Sequence, residues 1–197
     1  MGGEEKMIEK TLVLLKPDAV QRGLIGELIM RFEKAGFKII GMKMIWADKE
    51  MAGKHYADDE AWMQSLGEKT KAAYEKKGKP LKETPVEVGQ RIRKLLMDFI
   101  SMSPCVALCI EGHGAIEKIR VLTGATAPML AAPGTIRGDY SFDSYELSDA
   151  SGRPLQNLIH ASDSKEAAER EINVWFKKDE LHPFERIDEP LLYRRVD

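Results

Sequence analysis

The sequence is poor in cysteine, which argues against a structural zinc site. Its two cysteines, Cys105 and Cys109, lie four residues apart in an apolar run. A zinc site of the common kind needs a second cysteine pair or nearby histidines, and neither accompanies them. Free cysteine usually behaves as a small core hydrophobe. We therefore predict that both thiols are buried in a strand.

Long apolar runs and targeting segments are also missing. No stretch approaches the roughly 20 apolar residues of a membrane-spanning helix. The first six residues do not resemble a signal peptide, and Lys6 stands where the myristoylation pattern requires Ser or Thr. We expect residues 1–6 to form a flexible tail and the protein to be soluble and cytoplasmic.

The chain has almost no net charge, with 30 basic against 32 acidic side chains and a formal value of −2. This balance gives no bulk electrostatic reason to bind a nucleic acid or a membrane surface. The lysines of residues 69–82 are interleaved with glutamates, which favours a solvated helical face over a nucleic-acid contact. Any phosphate binding must therefore be local.

A chain of 197 residues with 43% hydrophobic content suits one domain with an insertion. Apolar runs predict strands at residues 11–16, 37–46 and 106–111, with a short apolar step at 158–159. Helical spacing and capping residues predict helices at 24–36, after Asp48, and at 85–100, 115–122 and 163–178. Residues 124–156 are expected to be irregular. This order predicts an α+β sandwich, an antiparallel sheet with helices on one face.

His160 is the most informative candidate for catalysis. It follows the short apolar step and precedes a predicted helix, where backbone N–H groups favour anions and a neutral imidazole can attack phosphorus. The alternative is a hydrogen-bonded histidine at a strand end. Glu171 falls at the border of the apolar face of the final helix, and a partly buried carboxylate needs a partner. It could hold the second imidazole nitrogen of His160.

Three cations accompany this histidine at positions where ligands are often bound. Lys16 ends the first strand, Arg120 lies near the end of a helix, and Arg137 lies in a glycine-rich loop. Phosphoryl transfer is catalysed mainly by positive charge placed around the migrating group. Each residue alone could be an exposed surface cation, so only the joint pattern indicates a phosphate site.

Four blocks of sequence match a known family. They are Lys16-Pro-Asp-Ala-Val, Arg120 through Gly-Ala-Thr126-Ala-Pro, Pro-Gly-Thr-Ile-Arg137-Gly-Asp-Tyr and Asn157-Leu-Ile-His160-Ala-Ser162-Asp-Ser. On these blocks the chain resembles a nucleoside diphosphate kinase of the archaeal type along nearly its whole length. The last two blocks together are highly specific.

The resemblance implies a role for each matched residue. His160 would be the nucleophile of a ping-pong reaction between an NTP and an NDP. Lys16 and Asn157 would lie at the sugar 3′-hydroxyl and the phosphates, with Tyr56 beside the phosphohistidine. The remaining roles are holding the phosphate chain (Arg120, Thr126, Arg137) and orienting the imidazole (Ser162, Glu171).

The resemblance further implies a ferredoxin-like sandwich, with a four-stranded antiparallel sheet covered by helices. Mg²⁺ would enter with the nucleotide and bridge its phosphates. A homo-oligomer is expected, with a hexamer favoured over smaller assemblies built on the same dimer.

Two insertions distinguish the chain from the common family form, at about residues 57–102 and 141–156 of a single domain spanning 7–197. The first replaces the region that supplies a base-stacking phenylalanine in the family. Trp62, Tyr74 and Phe142 are candidates for that function, although the large area that an aromatic side chain buries favours a packing role for each. His55 could line the site, but no role is assigned to it or to the two remaining histidines.

The sequence is also compatible with two other functions. One is a catalytically silent relative that binds nucleotides or a protein partner. The other is a nucleic-acid-binding regulator, which the balanced charge disfavours. Silent relatives usually lose the nucleophile or a phosphate ligand, whereas this chain keeps every matched residue. We therefore expect an active enzyme.

Overall fold

The computed structural model describes residues 8–56, 58–76 and 78–193. Four strands form one sheet in the order β2-β3-β1-β4, and every neighbouring pair is antiparallel. In chain order the strands are β1 (Ile8–Leu15), β2 (Lys38–Ile45), β3 (Cys105–His113) and β4 (Ile159–Ala161). This order, with a helical crossover after β1 and another after β3, is that of the ferredoxin-like fold. The predicted fold class is confirmed.

Ten helices are found in the described part of the chain, and several are a single turn long. They are α1 (Pro17–Gln21), α2 (Ile25–Lys34), α3 (Lys49–His55), α4 (Glu60–Lys76), α5 (Pro85–Ile100), α6 (Ala115–Thr123), α7 (Ile136–Tyr140), α8 (Tyr145–Ala150), α9 (Lys165–Trp175) and α10 (Glu189–Leu192). No helix among the described residues is long and apolar enough to cross a membrane.

Helices cover both faces of the sheet, so the prediction of helices on one face was wrong. Side chains alternate along β1, and Val13 packs in a cluster with residues of α2 and α6. Leu12 packs in the opposite cluster with Ile172 and Trp175 of α9. The continuous apolar run of β1 reflects this burial on both sides. Cys105 and Cys109 are free and buried in β3, as predicted, and burial raises the pKa of both thiols to about 12.

The region predicted to be the first insertion contains a tight helical hairpin of α4 and α5. A Cβ atom added to Gly67 would lie 1.8 Å from the carbonyl oxygen of Pro85, and one added to Gly89 would lie 2.2 Å from that of Met63. Two glycines therefore let the helix backbones touch. α5 has the predicted bounds and begins at the predicted capping box.

Residues 124–156 are not irregular throughout, contrary to prediction. They contain a 3₁₀ turn at Pro128–Leu130, followed by α7 and α8. The caps are the side chains of Thr135 and Ser144, which accept hydrogen bonds from backbone N–H groups three residues on. Helices of five or six residues are too short to show apolar periodicity in the sequence.

The last long helix is shorter than predicted at both ends. Its N-cap is Ser164, which accepts a hydrogen bond from the backbone N–H of Ala167 at 3.1 Å, and not Asp163. It ends at Trp175 rather than near Lys178, because Phe176 adopts an extended conformation and packs in the core.

Candidate active site

His160 lies in the middle of β4, opposite Leu14 of β1. The chain reaches it through Leu158, whose φ of +66° is the one left-handed value at a non-glycine residue in the described chain. The backbone N–H of Leu158 donates to Oδ2 of Asp18 at 2.9 Å, and its carbonyl accepts from the N–H of Lys16 at 2.8 Å. Two hydrogen bonds, one to Lys16 just after β1 and one to Asp18 in α1, thus hold a strained turn shortly before His160.

Glu171 of α9 holds one nitrogen of the imidazole. Its Oε2 lies 2.8 Å from Nε2 of His160 and accepts from Oγ of Ser162 at 2.7 Å, and the residue is 5% exposed. Burial alone would raise the pKa of Glu171, but hydrogen bonds from His160 and Ser162 and the nearby charge of Arg170 together hold that pKa below its ordinary value of 4.5. An ionised carboxylate only accepts, so Nε2 carries a proton, and in the neutral ring the lone pair is on Nδ1.

Lys16 and Asn157 form a buried polar pair beside this histidine. The Nζ of Lys16 donates to Oδ1 of Asn157 at 2.8 Å, and Nδ2 of Asn157 donates to the backbone carbonyl of Thr126 at 2.9 Å. Burial, followed by the charge of Arg137, lowers the pKa of Lys16 from 10.5 to about 8. The ring of Phe99 on α5 lies 5.9 Å from this Nζ, so α5 borders the site.

Arg137 binds three backbone carbonyls from two segments of the chain. Its guanidinium donates to the carbonyls of Asn157 at 3.1 Å, Gly124 at 3.0 Å and Ile159 at 2.6 Å. Three of its five N–H groups are therefore used, and the other two have no hydrogen-bond acceptor among the described residues. Burial and the charge of Arg120 lower the pKa of Arg137 to about 10.

Arg120 and Thr126 are the exposed members of the predicted set. Arg120 lines an open cavity of about 630 Å³ together with Glu117, Gly124 and Asp163. His160 and Lys16 do not line this cavity, so it adjoins the cationic side of the site rather than covering the imidazole.

Tyr56 directly follows α3 and packs against His55, with ring centroids 4.6 Å apart. Burial raises the pKa of its phenol above its ordinary value of 10. The backbone carbonyl of Tyr56 accepts a hydrogen bond from Nε of Arg93 at 2.7 Å, and this bond links Tyr56 to α5. Of the three candidates for base stacking, Trp62 and Phe142 are exposed. Burial and the nearby Asp149 of α8 raise the pKa of the Tyr74 phenol to about 12.

Two residues with no predicted role belong to this constellation. His55 is buried, and its ring lies 4.6 Å from that of His160. Asp18 fixes the turn before His160. The position of Asp18 two residues after Lys16, at a strand end, was the available signal for it, whereas nothing in the sequence around His55 indicates burial. His113 and His182 are exposed and lie outside this group.

Comparison with known proteins identifies the family. The family model described as nucleoside diphosphate kinase matches residues 9–71 and 86–181. A nucleoside diphosphate kinase of Pyrobaculum aerophilum is 48% identical over 179 residues, which cover 88% of this chain and 98% of that protein. One of Archaeoglobus fulgidus is 42% identical over 186 residues, covering 94% and 98%.

Similar solved structures belong to the same family as these relatives. The crystal structure of an NDP kinase from Pyrobaculum aerophilum has a TM-score of 0.86 at 46% identity, covering 89% of this chain and all of that one. A transition-state mimic of the Borrelia burgdorferi nucleoside-diphosphate kinase, with bound vanadate and ADP, has a TM-score of 0.76 at 37% identity and covers 94% and 97%. The chain therefore belongs to the nucleoside diphosphate kinase family, of the type that its archaeal relatives represent.

Proposed function

We propose that this enzyme transfers the γ-phosphate of an NTP to an NDP through a phosphohistidine at His160. The observation that carries the proposal is the hydrogen bond between Nε2 of His160 and the carboxylate of Glu171. It leaves Nδ1 with a lone pair on a partly exposed ring, next to two buried cations. A histidine with one nitrogen held by a carboxylate and the other free is suited to nucleophilic catalysis.

The reaction runs in two halves. In the first, Nδ1 of His160 attacks the γ-phosphorus in line, the bond from that phosphorus to the β,γ-bridging oxygen breaks, and NDP leaves. The imidazole gains positive charge, which Glu171 stabilises through the Nε2 proton. In the second half, a β-phosphate oxygen of another NDP attacks the same phosphorus, the N–P bond breaks, and neutral His160 returns.

The phosphate chain would be held by the two free N–H groups of Arg137, by Arg120 and by the hydroxyl of Thr126. Lys16 and Asn157 would bind the sugar 3′-hydroxyl and the transferred phosphoryl group, with Tyr56 beside it. These groups place positive charge and donors where charge develops in the transition state, which is the main source of catalysis in phosphoryl transfer.

Mg²⁺ fits this site as part of the nucleotide substrate. The carboxylates nearest His160 are occupied: Glu171 binds His160 and Ser162, and both oxygens of Asp18 bind backbone N–H groups. The remaining groups are cations and neutral donors that suit phosphate. Mg²⁺ bridging the phosphates would neutralise part of their charge.

We further propose that the enzyme is a cytoplasmic homo-oligomer, with a hexamer favoured. A face of the edge strand β2 supports an interface between copies, because Met42 and Met44 on alternate positions and the following Trp46 are each more than half exposed. The cytoplasm is proposed because nucleoside di- and triphosphates are cytoplasmic metabolites.

Incubation with γ-labelled ATP tests the function and separates it from a silent nucleotide-binding module. The expected result is a label on the protein that is lost in acid and kept in base, as a phosphohistidine requires. His160→Ala should abolish labelling and turnover, whereas the matched variant His182→Ala should keep both. A folded wild-type protein that binds nucleotide but takes up no label would instead support the silent module.

A further inference from the structure

His55 is a buried histidine that the proposed reaction does not use. It ends α3 and is 3% exposed. The indole Nε1–H of Trp175 donates to its Nδ1 at 3.3 Å. Because an indole nitrogen only donates, Nδ1 of His55 must hold a lone pair, and the proton of the neutral ring lies on Nε2. Trp175 thus selects one tautomer of His55.

The Nε2–H of His55 has no hydrogen-bond partner in the described chain and is closed to solvent. Its neighbours are other rings. The ring of His160 lies 4.6 Å away at 86°, and that of Tyr56 lies 4.6 Å away at 67°. A buried donor without an oxygen or nitrogen acceptor is costly, and the π face of a perpendicular ring is the weak acceptor left to it.

His55 also stays neutral. Burial, and then unfavourable electrostatic interactions with His160, Lys16 and Arg170, hold the pKa of His55 well below its ordinary value of 6.5. It can therefore serve neither as a cation for phosphate nor as a proton donor in catalysis. One ligand atom each from His55, His160 and Glu171 lie within 4.8 Å of one another. A metal at Nε2 of His55 would require the other tautomer and the loss of the Trp175 hydrogen bond, so we do not assign a metal to this group.

The packing of the His55 ring against His160 indicates a role that needs no charge. The hydrogen bond to Glu171 holds the Nε2 end of His160, but Nε2 lies close to the Cβ–Cγ axis, so this bond alone restrains rotation of the ring about Cβ–Cγ only weakly. A perpendicular ring packed against it removes that rotation. We propose that His55 is a positioning residue for His160: it fixes the plane of the imidazole, so that Nδ1 stays aligned with the incoming phosphorus. This inference rests on the proposed function.

The test separates the rate of phosphorylation from the binding of nucleotide. With γ-labelled ATP in rapid-quench experiments, His55→Ala should lower the phosphorylation rate at saturating ATP by roughly 10- to 100-fold, the effect of a misaligned nucleophile. The apparent Kd for ATP should stay within about threefold. His55→Phe, which keeps a ring of similar shape, should recover most of the rate. A His55→Ala protein that is phosphorylated at the wild-type rate, or a His55→Phe protein no faster than His55→Ala, would overturn the proposal.

Two controls keep the result interpretable. Ile172→Ala removes a buried side chain from the same cluster as Trp175, so it should lower the melting temperature without changing the phosphorylation rate of folded protein. Nitrogen-15 NMR of the wild-type protein needs no mutation and should find Nδ1 of His55 unprotonated and Nε2 protonated from pH 6.5 to 9. The opposite tautomer, or a charged ring, would refute the role of Trp175. If wild-type protein takes up no acid-labile label, the proposed function itself is refuted. Refutation of the positioning role alone leaves the labelling of wild-type protein intact, so the two outcomes can be told apart.

Discussion

The guanidinium of Arg137 donates a hydrogen bond of 2.6 Å to the backbone carbonyl of Ile159, the residue that precedes His160 in β4. Two further bonds join it to the carbonyls of Asn157 and Gly124. A side chain expected from the sequence to hold phosphate therefore also holds the strand that carries the nucleophile. Its substitution should affect stability and catalysis together.

Arg137→Ala is expected to lower turnover by about 10²- to 10³-fold, the range for losing one transition-state charge donor. It should also lower the melting temperature, because three carbonyls lose their donor. Arg137→Lys should rescue little, since one ammonium cannot reach three divergent acceptors. Arg186→Lys is the control, because Arg186 also binds a backbone carbonyl, that of Gly36, but contacts no site residue. Turnover of Arg137→Lys near the wild-type value would contradict this dual role.

Lys16 should produce an alkaline limit to activity. Its pKa of about 8 means that the ammonium is present below this pH and is lost above it. Attraction for phosphate should then weaken, so kcat/KM, which reports the free enzyme, is expected to fall as pH rises through about 8. Bound phosphate should favour the charged amine, which would move the corresponding limb of kcat to higher pH. Lys34→Ala, at an exposed lysine, should leave the profile unchanged. A kcat/KM that is constant up to pH 10 would refute the assignment.

Glu171→Gln tests the carboxylate behind the nucleophile. Loss of its charge should slow phosphorylation by roughly 10- to 100-fold, because the positive charge that the imidazole acquires is no longer balanced. Glu169→Gln, on the exposed side of the same helix, should leave the rate unaffected. If the glutamine variant is phosphorylated as fast as the wild type, Glu171 has no electrostatic role.

The same substitution has a consequence for stability. The pKa of Glu171 is lowered in the folded protein, so the carboxylate contributes stability above its ordinary value of 4.5, and this contribution is lost as pH falls through the lowered value. Thermal unfolding should therefore be less sensitive to pH below 4.5 in Glu171→Gln than in the wild type. Identical acid sensitivity of the two proteins would contradict the lowered pKa.

At Leu158, substitution by glycine should leave a more stable protein than substitution by alanine, which is the reverse of the usual order. It is fully buried and has a φ of +66°. Truncation to either residue loses packing, at a cost of about 2–5 kcal/mol. Alanine keeps the left-handed strain of roughly 1–2 kcal/mol, whereas glycine relieves it. Chemical unfolding should find Leu158→Gly more stable than Leu158→Ala by about 1 kcal/mol, and the opposite order would show that the turn is unstrained.

Much of the fold could be predicted from the sequence because several elements carry strong local signals, although α4, the longest described helix, was not among the predicted ones. The apolar run of β1 and the capping box at Thr84 gave a strand and a helix close to those observed. α7 and α8 could not be predicted, since helices this short have no periodicity. The covering of both sheet faces also escaped prediction, because it depends on which distant helices pack on β1.

The residues of the candidate site could be proposed from the sequence, but their geometry could not. The matched blocks named His160 and Arg137, and the position of Glu171 on the helix border suggested a partner for the imidazole. No pattern indicated that three backbone carbonyls would bind Arg137 or that His55 would be buried against His160. Both depend on how segments far apart in the chain meet in the folded protein.

The most direct test is whether phosphorylated protein, freed of all nucleoside triphosphate, passes its label to an added NDP. The protein would be labelled with γ-labelled ATP, separated by gel filtration and mixed with GDP. We predict that the label leaves His160 and appears in GTP, close to one per chain labelled. Label that stays on the protein in the presence of GDP, or that is released only as inorganic phosphate, would contradict transfer through a phosphohistidine.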